Sequence, residues 1–230
     1  MKIDIDFDFN TEAQERDIDR FSPTLKKYHQ TLWSKELPSG EKMELHKNRE
    51  KYLEWKDFTF GSDAITHSYR DHKRKQSIIA QAQEHADEIF NAGCTIGAYT
   101  IFPNNRVNRF QTINQSRGTL RKIDDRFDLT LECVRRFYIE EKSPLYDTLS
   151  RYRNFFDLFV DFSGYVEFFS LQDLVLDDFS QIKFYLPFDD FSSNPDFHSK
   201  SDYLKYKNRV IEFIKKRNSR IKEWSIKNAK

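Results

Sequence analysis

The sequence is poor in the residues that break or cross-link a chain. It has 6 Gly, 6 Pro and 2 Cys among 230 residues. No Pro/Gly/Ser-rich stretch divides it, so we predict a single domain over residues 1–230. Cys94 and Cys133 lie inside apolar runs without metal-type spacing, which is typical of buried thiols in a reducing compartment. A structural disulfide is therefore not expected.

Long apolar runs are also missing. No segment approaches the roughly 18 consecutive apolar residues that span a bilayer. The N-terminus alternates polar and apolar residues, unlike the apolar run of a signal peptide. We expect a cytoplasmic protein with no membrane partner. The formal net charge is only +1, which gives no global argument for a nucleic-acid partner.

The standard enzyme motifs are absent. The sequence has no phosphate-binding Gly-Lys-Ser/Thr loop, no Gly-x-Gly-x-x-Gly, no nucleophile elbow and no His-Glu-x-x-His. His67 and His72 are five residues apart, which is not the spacing of a helical zinc pair, so no metal is predicted. Mg²⁺ on Asp128, Glu132 or the region of Asp161 and Asp173 stays open, because acidic residues alone do not define a site. The motifs leave open whether the protein is an enzyme, and the cofactor is unknown.

Aromatic residues are abundant instead. Charged residues make up 33% of the chain and the mean hydropathy is -0.80, values that alone would favour disorder. The chain nevertheless has 22 Phe, 11 Tyr and 3 Trp. Burying one Phe side chain stabilises a fold by roughly 1.5 to 3 kcal/mol, so these rings are sufficient to build a core. We predict a folded, aromatic-rich core.

Several segments read as strands. The alternation of Ile3, Ile5, Phe7 and Phe9 with three aspartates predicts a half-buried strand. Phe58-Thr59-Phe60 predicts a short strand that ends in a turn at Gly61-Ser62-Asp63. The apolar run from Cys94 to Phe102 predicts a buried central strand. Two further candidates are Phe110 to Ile113 and Ile182 to Phe188.

Other segments read as helices. Ser22-Pro23 predicts an N-cap and a first helical position, with a helix to about Trp33. Ile78 to Phe90 keeps helical spacing up to a stop at Asn91 and Gly93. Further helices are expected from Asp124 or Asp125 to about Tyr138, after Ser143-Pro144, on both sides of Gly164, and from Ser201 onward. The fold class is therefore α+β, with a central sheet covered by several helices and a basic helix packed last.

A polar ridge is predicted on the helix that ends near Tyr138. Asp125, Asp128, Glu132 and Arg136 share one helical face, and Arg135 lies beside it. A partly covered ridge would make Asp128, Glu132 and Arg135 candidate catalytic residues, with the carboxylates as metal ligands or general acid/base groups. The alternative is that the ridge simply forms ion pairs one turn apart.

The segment Asn114 to Gly118 brings an amide, a hydroxyl and a guanidinium together between a predicted strand and a helix. Asn114, Gln115 and Arg117 are therefore candidate ligand-binding residues, because the fork of Arg suits two oxygens of a phosphate or carboxylate. The alternative is that Arg117 pairs with Asp125 or Asp128 and clamps the loop.

Ser62 and Asp63 are the remaining candidate ligand-binding residues. At the end of a strand they would present a hydroxyl and a carboxylate to a ligand. They equally suit an N-cap for the following helix, which is the commoner use of Ser and Asp.

Charge is distributed unevenly along the chain. Residues 201–230 carry ten Lys and Arg against three Asp and Glu, a charge of +7, so residues 1–200 carry -6. A basic helix can track a phosphate backbone. It is more often a docking helix with an apolar stripe and a solvated outer face.

The chain resembles an uncharacterised bacterial family, a domain of unknown function. The run Asp-Arg-Phe-Asp-Leu-Thr-Leu-Glu-Cys from Asp125 to Cys133 is the most specific part of the resemblance. The other segments that carry it are Leu32 to Lys35 with Leu37-Pro38, Phe58 to Ile65, Thr95 to Gly97 with Phe102-Pro103, Ile113 to Gly118, Ser143 to Leu145, and Phe155 to Val175. The resemblance implies a bacterial or phage-borne cytosolic protein and assigns no catalytic role.

Two functions follow as hypotheses. The first is a protein that binds or acts on a nucleotide or nucleic-acid phosphate through Arg117 and the acidic helix. The second is a non-enzymatic protein-interaction module, in a defence or toxin-antitoxin setting, that meets a protein partner through the C-terminal basic helix. Convergence of Arg117, Asp128 and Glu132 in one pocket would favour the first, and dispersal the second.

Overall fold

A computed structural model describes residues 2–48, 53–65, 69 and 75–228, with residues 83–86 described by their backbone alone. Within these residues the fold is an α+β single domain that combines helices with one sheet. The helices are α1 Phe9–Ala13, α2 Ile18–Phe21, α3 Pro23–Trp33, α4 Gln76–Ala80, α5 Gln83–Gly93, α6 Ile113–Thr119, α7 Phe127–Tyr138, α8 Tyr146–Ser150, α9 Arg153–Phe156, α10 Phe162–Phe168 and α11 Lys200–Asn228. The strands are β1 His46–Lys47, β2 Leu53–Trp55, β3 Phe58–Ala64 and β4 Tyr99–Pro103.

The sheet is antiparallel, with its four strands in sequence order. Strand β4 pairs with β3 over its whole length, from Pro103 opposite Phe60 to Tyr99 opposite Ala64. In this register Asp63 lies opposite Thr100. The polar end of β3 is therefore held beside a fully buried strand, and this pairing positions the candidate site.

The predicted N-terminal strand is wrong. Residues 3–8 belong to no strand, and Phe9 begins α1 with Asp8 as its N-cap. The alternation in burial is present, because Ile3 and Phe9 are buried while Ile5 and Phe7 are partly buried. The backbone bonds to side chains instead of a neighbouring strand. The N–H of Ile3 donates to Ser225 Oγ and the N–H of Asp4 to the hydroxyl of Tyr28.

The other strand predictions were partly correct. The turn predicted at Gly61 to Asp63 is wrong, because these residues continue β3. The run from Cys94 to Phe102 forms a strand only from Tyr99, after a 3₁₀ turn at Ile96–Ala98. Phe110 to Ile113 forms no strand in the structure. Residues 182–188 contribute a single bridge, between Val175 and Ile182.

The helix predictions were correct where capping is local. Ser22 Oγ accepts the N–H of Leu25 and Pro23 begins α3, as predicted. The helix α7 begins at Phe127, two or three residues after the predicted start. The helix predicted over Ile78 to Phe90 is divided into α4 and α5. Gly164 lies inside α10 and not between two helices. The cap of α11 is Ser199, whose Oγ accepts the N–H of Asp202, and not Ser201.

The core is aromatic, and α11 closes it. Rings of Phe155, Phe156, Phe159, Tyr165 and Phe169 pack with centroids 5.0 to 6 Å apart, mostly tilted or edge to face. The helix α11 packs against α5 and the 3₁₀ turn before β4. Both cysteines are buried and free.

Candidate functional site

Four of the predicted site residues meet at the polar end of β3. Arg117, on α6, extends its guanidinium to Asp63 on β3, and Asn114 Nδ2 donates to the carbonyl of Ser62 at 3.4 Å. The segment that contains Asn114 and Arg117 is the helix α6 and not the predicted loop. We call Asp19, His29, Ser62, Asp63 and Arg117 the β3 polar centre.

Arg117 is fully buried, with 0% exposure, and each of its three nitrogens is engaged within the chain. Its Nε donates to Thr130 Oγ1 at 3.0 Å, and its Nη1 donates to Asp63 and to the carbonyl of Ala64. Its Nη2 donates to the carbonyl of Asp125 at 3.2 Å. The geometry therefore matches the clamp alternative, with Asp63 and Asp125 as partners and not Asp128.

His29 and Asp19 complete the centre, and neither residue belongs to a sequence motif that predicts this role. The indole N–H of Trp33 donates to His29 Nδ1 at 3.0 Å, so the imidazole proton must sit on Nε2, which faces Ser62 Oγ at 2.8 Å. Burial, together with the positive charge of Arg217, lowers the pKa of His29 to about 3. His29 is thus a neutral donor, one α-helical turn before Trp33.

Asp19 has the opposite shift. The pKa of its carboxyl is raised to about 6, mainly by burial. The hydrogen bond from Ser62 acts against this rise, and the charge of Asp17 adds to it. The Oδ1 of Asp19, the Oδ1 of Asn114 and the Oγ1 of Thr100 are buried without a hydrogen-bond partner among the described residues. Buried polar atoms are normally paired, so polar bonding is incomplete at these three oxygens, as it is at other buried atoms such as Gln172 Oε1 and Tyr185 Oη.

The predicted catalytic residues lie elsewhere. Asp128 is fully buried and accepts from Arg126 Nε at 3.1 Å and from the N–H of Tyr185 at 2.9 Å. Glu132 accepts from Arg135 Nε at 2.8 Å and from Arg136 Nε at 2.7 Å. Arg117, Asp128 and Glu132 therefore belong to three separate ion-pair groups and do not converge in one pocket.

Gln115 also has a local role in this structure. Its side chain accepts the N–H of Thr112 at 3.2 Å, while Thr112 Oγ1 accepts the N–H of Gln115. This reciprocal pair is a capping box that begins α6. His67 and His72, whose spacing does not suit a helical zinc pair, lie outside the described residues.

A second surface combines cations with partly buried aromatic rings. Phe184 and Phe188 stack with their centroids 4.2 Å apart and their planes 15° apart, and both are only partly buried. Lys205 and Arg209, one turn apart on α11, lie beside them, and Lys183 precedes Phe184. We call Lys183, Phe184, Phe188, Lys205 and Arg209 the basic–aromatic surface.

Two cavities adjoin along this surface. One of about 410 Å³ is lined by residues 184–188 with Lys205 and Arg209. The other, of about 350 Å³, shares Phe184, Tyr185 and Arg209 with it and extends to Lys183 and Lys216. The basic C-terminal helix was predicted from the sequence, but its pairing with Phe184 and Phe188 was not.

The described residues contain neither a metal-type cluster nor a helix that could cross a membrane. No group of three or more His, Cys, Asp or Glu side chains in residues 2–48, 53–65, 69 and 75–228 is placed to hold a metal ion. No helix in the same part of the chain is both long and apolar enough to cross a bilayer.

The elements and their order define an α+β single-domain protein. Residues 3–221 match the model of a family of unknown function, DUF6994, and the chain belongs to that family. No curated protein and no solved structure matches the chain.

Proposed function

We propose that the protein binds a nucleotide, free or within a single-stranded nucleic acid, at the basic–aromatic surface. The observation that carries this proposal is the stacked pair Phe184 and Phe188 next to cations that have no carboxylate partner. Proteins that bind single strands combine a positive groove, which follows the phosphates, with aromatic rings on which bases stack. The proposal keeps the predicted ligand class and moves it from Arg117 to the C-terminal helix.

The charges at this surface support an anionic ligand. Neither Lys183 nor Lys205 has a carboxylate within ion-pair distance in the described part of the chain. Arg209 Nη1 donates to the carbonyls of Phe184 and Tyr185, at 2.8 and 3.1 Å, which fixes the guanidinium beside the rings. Of the carboxylates that line the adjoining cavity of about 350 Å³, Glu212 pairs with Lys216 and Asp173 pairs with Arg220.

The rings support a planar ligand. Phe184 and Phe188 are nearly parallel, and Phe191 meets Phe188 edge to face with centroids 4.9 Å apart. The guanidinium of Arg136 lies 5.7 Å from the Phe188 centroid and 5.2 Å from that of Phe191. Stacking of one base on an aromatic ring contributes roughly 1 to 3 kcal/mol, so even one base would add measurable affinity.

The alternative function is a protein-interaction module that uses the same helix. A protein partner would also meet Lys205 and Arg209, but its affinity would not follow the counterion release that phosphates produce. The dependence of binding on salt therefore separates the two. No reaction is proposed at this surface.

The test is fluorescence anisotropy with a labelled oligothymidylate and a labelled oligoadenylate, each titrated at several salt concentrations. We expect binding that weakens with salt, and a slope that falls by roughly 1.4 when Lys205→Ala and Arg209→Ala are combined, about 0.7 for each lost phosphate contact. Competition by ATP would show that a single nucleotide suffices. Its failure, with the oligomer still bound, would show that a strand is required.

The matched control is Lys215→Ala with Lys222→Ala, which removes the same charge from a different face of α11. Both lysines are exposed. Equal weakening by the two double variants would mean that the interaction is a non-specific charge effect. Unchanged affinity in the folded Lys205→Ala/Arg209→Ala variant, or no binding by the wild type, would overturn the proposal.

A further inference from the structure

Lys35 has a different environment from the other described lysines at the surface. Its Nζ lies 4.5 Å from the ring centroid of Phe168, 5.2 Å from that of Trp33 and 5.6 Å from that of Trp224. The Nζ donates to the carbonyl of Phe168 at 2.6 Å. No carboxylate lies within ion-pair distance of Lys35 in the described residues. The amine is thus enclosed by rings without a counter-ion.

Lys35 lines a wide surface cavity of about 550 Å³ that is open to solvent. The walls around it are apolar and include Leu37, Pro38, Phe159 and Phe168. Three carboxylates, Glu36, Asp161 and Glu167, lie on the same cavity and are exposed. An anionic ligand would be repelled by these three groups, so the cavity suits an uncharged small molecule.

The cavity wall contains the clearest backbone strain in its vicinity. Val160 has φ 69° and ψ -57°, and the N–H of Asp161 donates to the carbonyl of Phe159 at 2.8 Å, which is a γ-turn in its rare form. A β-branched residue in this conformation is unfavourable by about 1 to 3 kcal/mol. Val160 is 64% exposed, so its side chain gains little from packing in return. Such strain tends to persist at ligand sites.

Gly164 holds the strained turn against the other wall. A Cβ on Gly164 would lie 2.2 Å from the carbonyl oxygen of Phe159 and 3.0 Å from Pro38 Cγ. Only glycine permits this approach. The γ-turn, α10 and the Leu37-Pro38 turn therefore form one rigid wall opposite Lys35.

The surroundings favour the neutral amine more than water does. Burial, together with the nearby positive charge of Arg217, lowers the pKa of Lys35 to about 8. Arg217 is itself fully buried and donates to the carbonyls of Phe169, Gly97 and Tyr99, with no carboxylate partner among the described residues. A desolvated lysine beside a second cation is the arrangement that activates an amine as a nucleophile.

We propose that Lys35 is a nucleophilic amine that forms an imine with a small uncharged aldehyde or ketone bound in this cavity. The nitrogen lone pair adds to the carbonyl carbon, the π electrons move to oxygen, and a proton transfers from nitrogen to that oxygen. The resulting carbinolamine loses water and leaves the C=N bond. The step needs no oxidant or reductant.

The test is reductive trapping on the full chain. The protein is incubated with benzaldehyde and cyanoborohydride, which reduces an imine to a stable secondary amine, and the labelled lysines are identified by peptide mass mapping. Lys56 is the matched control, because it also lies over an indole, 4.7 Å from the ring centroid of Trp55, but it is exposed and paired with Glu41. We expect Lys35 to be labelled roughly tenfold or more faster than Lys56 near pH 7.5.

Two further measurements complete the test. The Lys35 labelling rate should rise with a midpoint near pH 8, well below the ordinary value of about 10.4 for a lysine. Lys35→Arg should abolish the fast label while Lys56→Arg leaves it unchanged. Labelling of Lys35 no faster than that of Lys56 in the wild type, or a midpoint near 10, would overturn the proposal even where Lys35→Arg fails to fold.

Discussion

The imidazole of His29 donates to the hydroxyl of Ser62, with 2.8 Å between Nε2 and Oγ, and burial gives the titratable groups on the two sides of Ser62 opposite pKa shifts. His29 has a pKa lowered to about 3, whereas Asp19, on the other side of Ser62, has a pKa raised to about 6. As the pH falls below 6.5, His29 becomes protonated in the unfolded chain but stays neutral in the folded chain, which lowers the free energy of unfolding. Between about pH 6 and 3.8, Asp19 is protonated in the folded chain but still ionised in the unfolded chain, which raises the free energy of unfolding as the pH falls.

Asp19→Asn should therefore steepen the acid sensitivity of the fold. The substitution removes the Asp19 response and leaves that of His29. We expect the free energy of unfolding to fall faster between pH 6 and 4 than in the wild type, by on the order of 1 kcal/mol per pH unit. Urea unfolding at several pH values measures this slope. Asp177→Asn, at an exposed carboxyl, is the control and should leave the slope unchanged. Parallel curves for Asp19→Asn and the wild type would contradict the assignment.

Arg117→Ala should be among the most destabilising single changes in the chain. It leaves Asp63 and the carbonyls of Ala64 and Asp125 without their donor in a buried setting. Removing one partner of a buried ion pair costs about 3 to 5 kcal/mol. The control is Arg153→Ala, which removes an exposed pair with Glu140 and should destabilise the fold far less. Similar losses in chemical unfolding of the two variants would rule out the clamp.

Local chemistry explains which elements were predictable. The helix α3 depends on Ser22 and Pro23, which are neighbours of the residues they cap, so the sequence contains the whole cause. The segment from Ile3 to Phe9 shows the opposite case. Its alternation correctly indicates which side chains are buried, but its backbone partner at Ile3 is Ser225, 222 residues away. Pairing over that distance cannot be read from periodicity.

The same limit applies to the candidate site. Ser62, Asp63, Asn114 and Arg117 could be selected because polar groups are concentrated in two short segments, and the structure does bring these segments together. Their charge balance depends on Asp19 and His29, which come from other elements and form no motif with them. The ridge of α7 also illustrates this limit. Residue spacing identified the Glu132 pairs with Arg135 and Arg136, but not the burial of Asp128 under Tyr185.

The two glycines Gly164 and Gly118 should respond to alanine in opposite directions. In Gly164→Ala the new Cβ meets the backbone oxygen of Phe159 at 2.2 Å, which flexible side chains cannot relieve, so we expect a loss of about 1 to 3 kcal/mol. In Gly118→Ala the Cβ meets nothing within 4 Å and lies in α6, so a gain of about 0.4 to 1 kcal/mol is expected. Thermal and urea unfolding measure both. An unaffected Gly164→Ala would contradict the packing described for α10, and a destabilised Gly118→Ala would contradict the open space described beside Gly118 in α6.

Val160→Gly tests whether the γ-turn in the wall of the Lys35 cavity is strained. Glycine adopts a positive φ without steric cost, and Val160 is already 64% exposed, so the variant should be unchanged or more stable by about 1 kcal/mol. Lys215→Gly, at an exposed residue in the interior of α11, is the control and should lose about 0.5 to 1 kcal/mol because helix interiors disfavour glycine. Equal losses in both variants would show that Val160 is not strained.

If the rigid turn shapes the cavity, Val160→Gly should also slow the trapping of benzaldehyde at Lys35 without loss of stability, because the freed turn no longer holds the cavity wall in place. Faster or unchanged trapping would separate the γ-turn from the chemistry of Lys35.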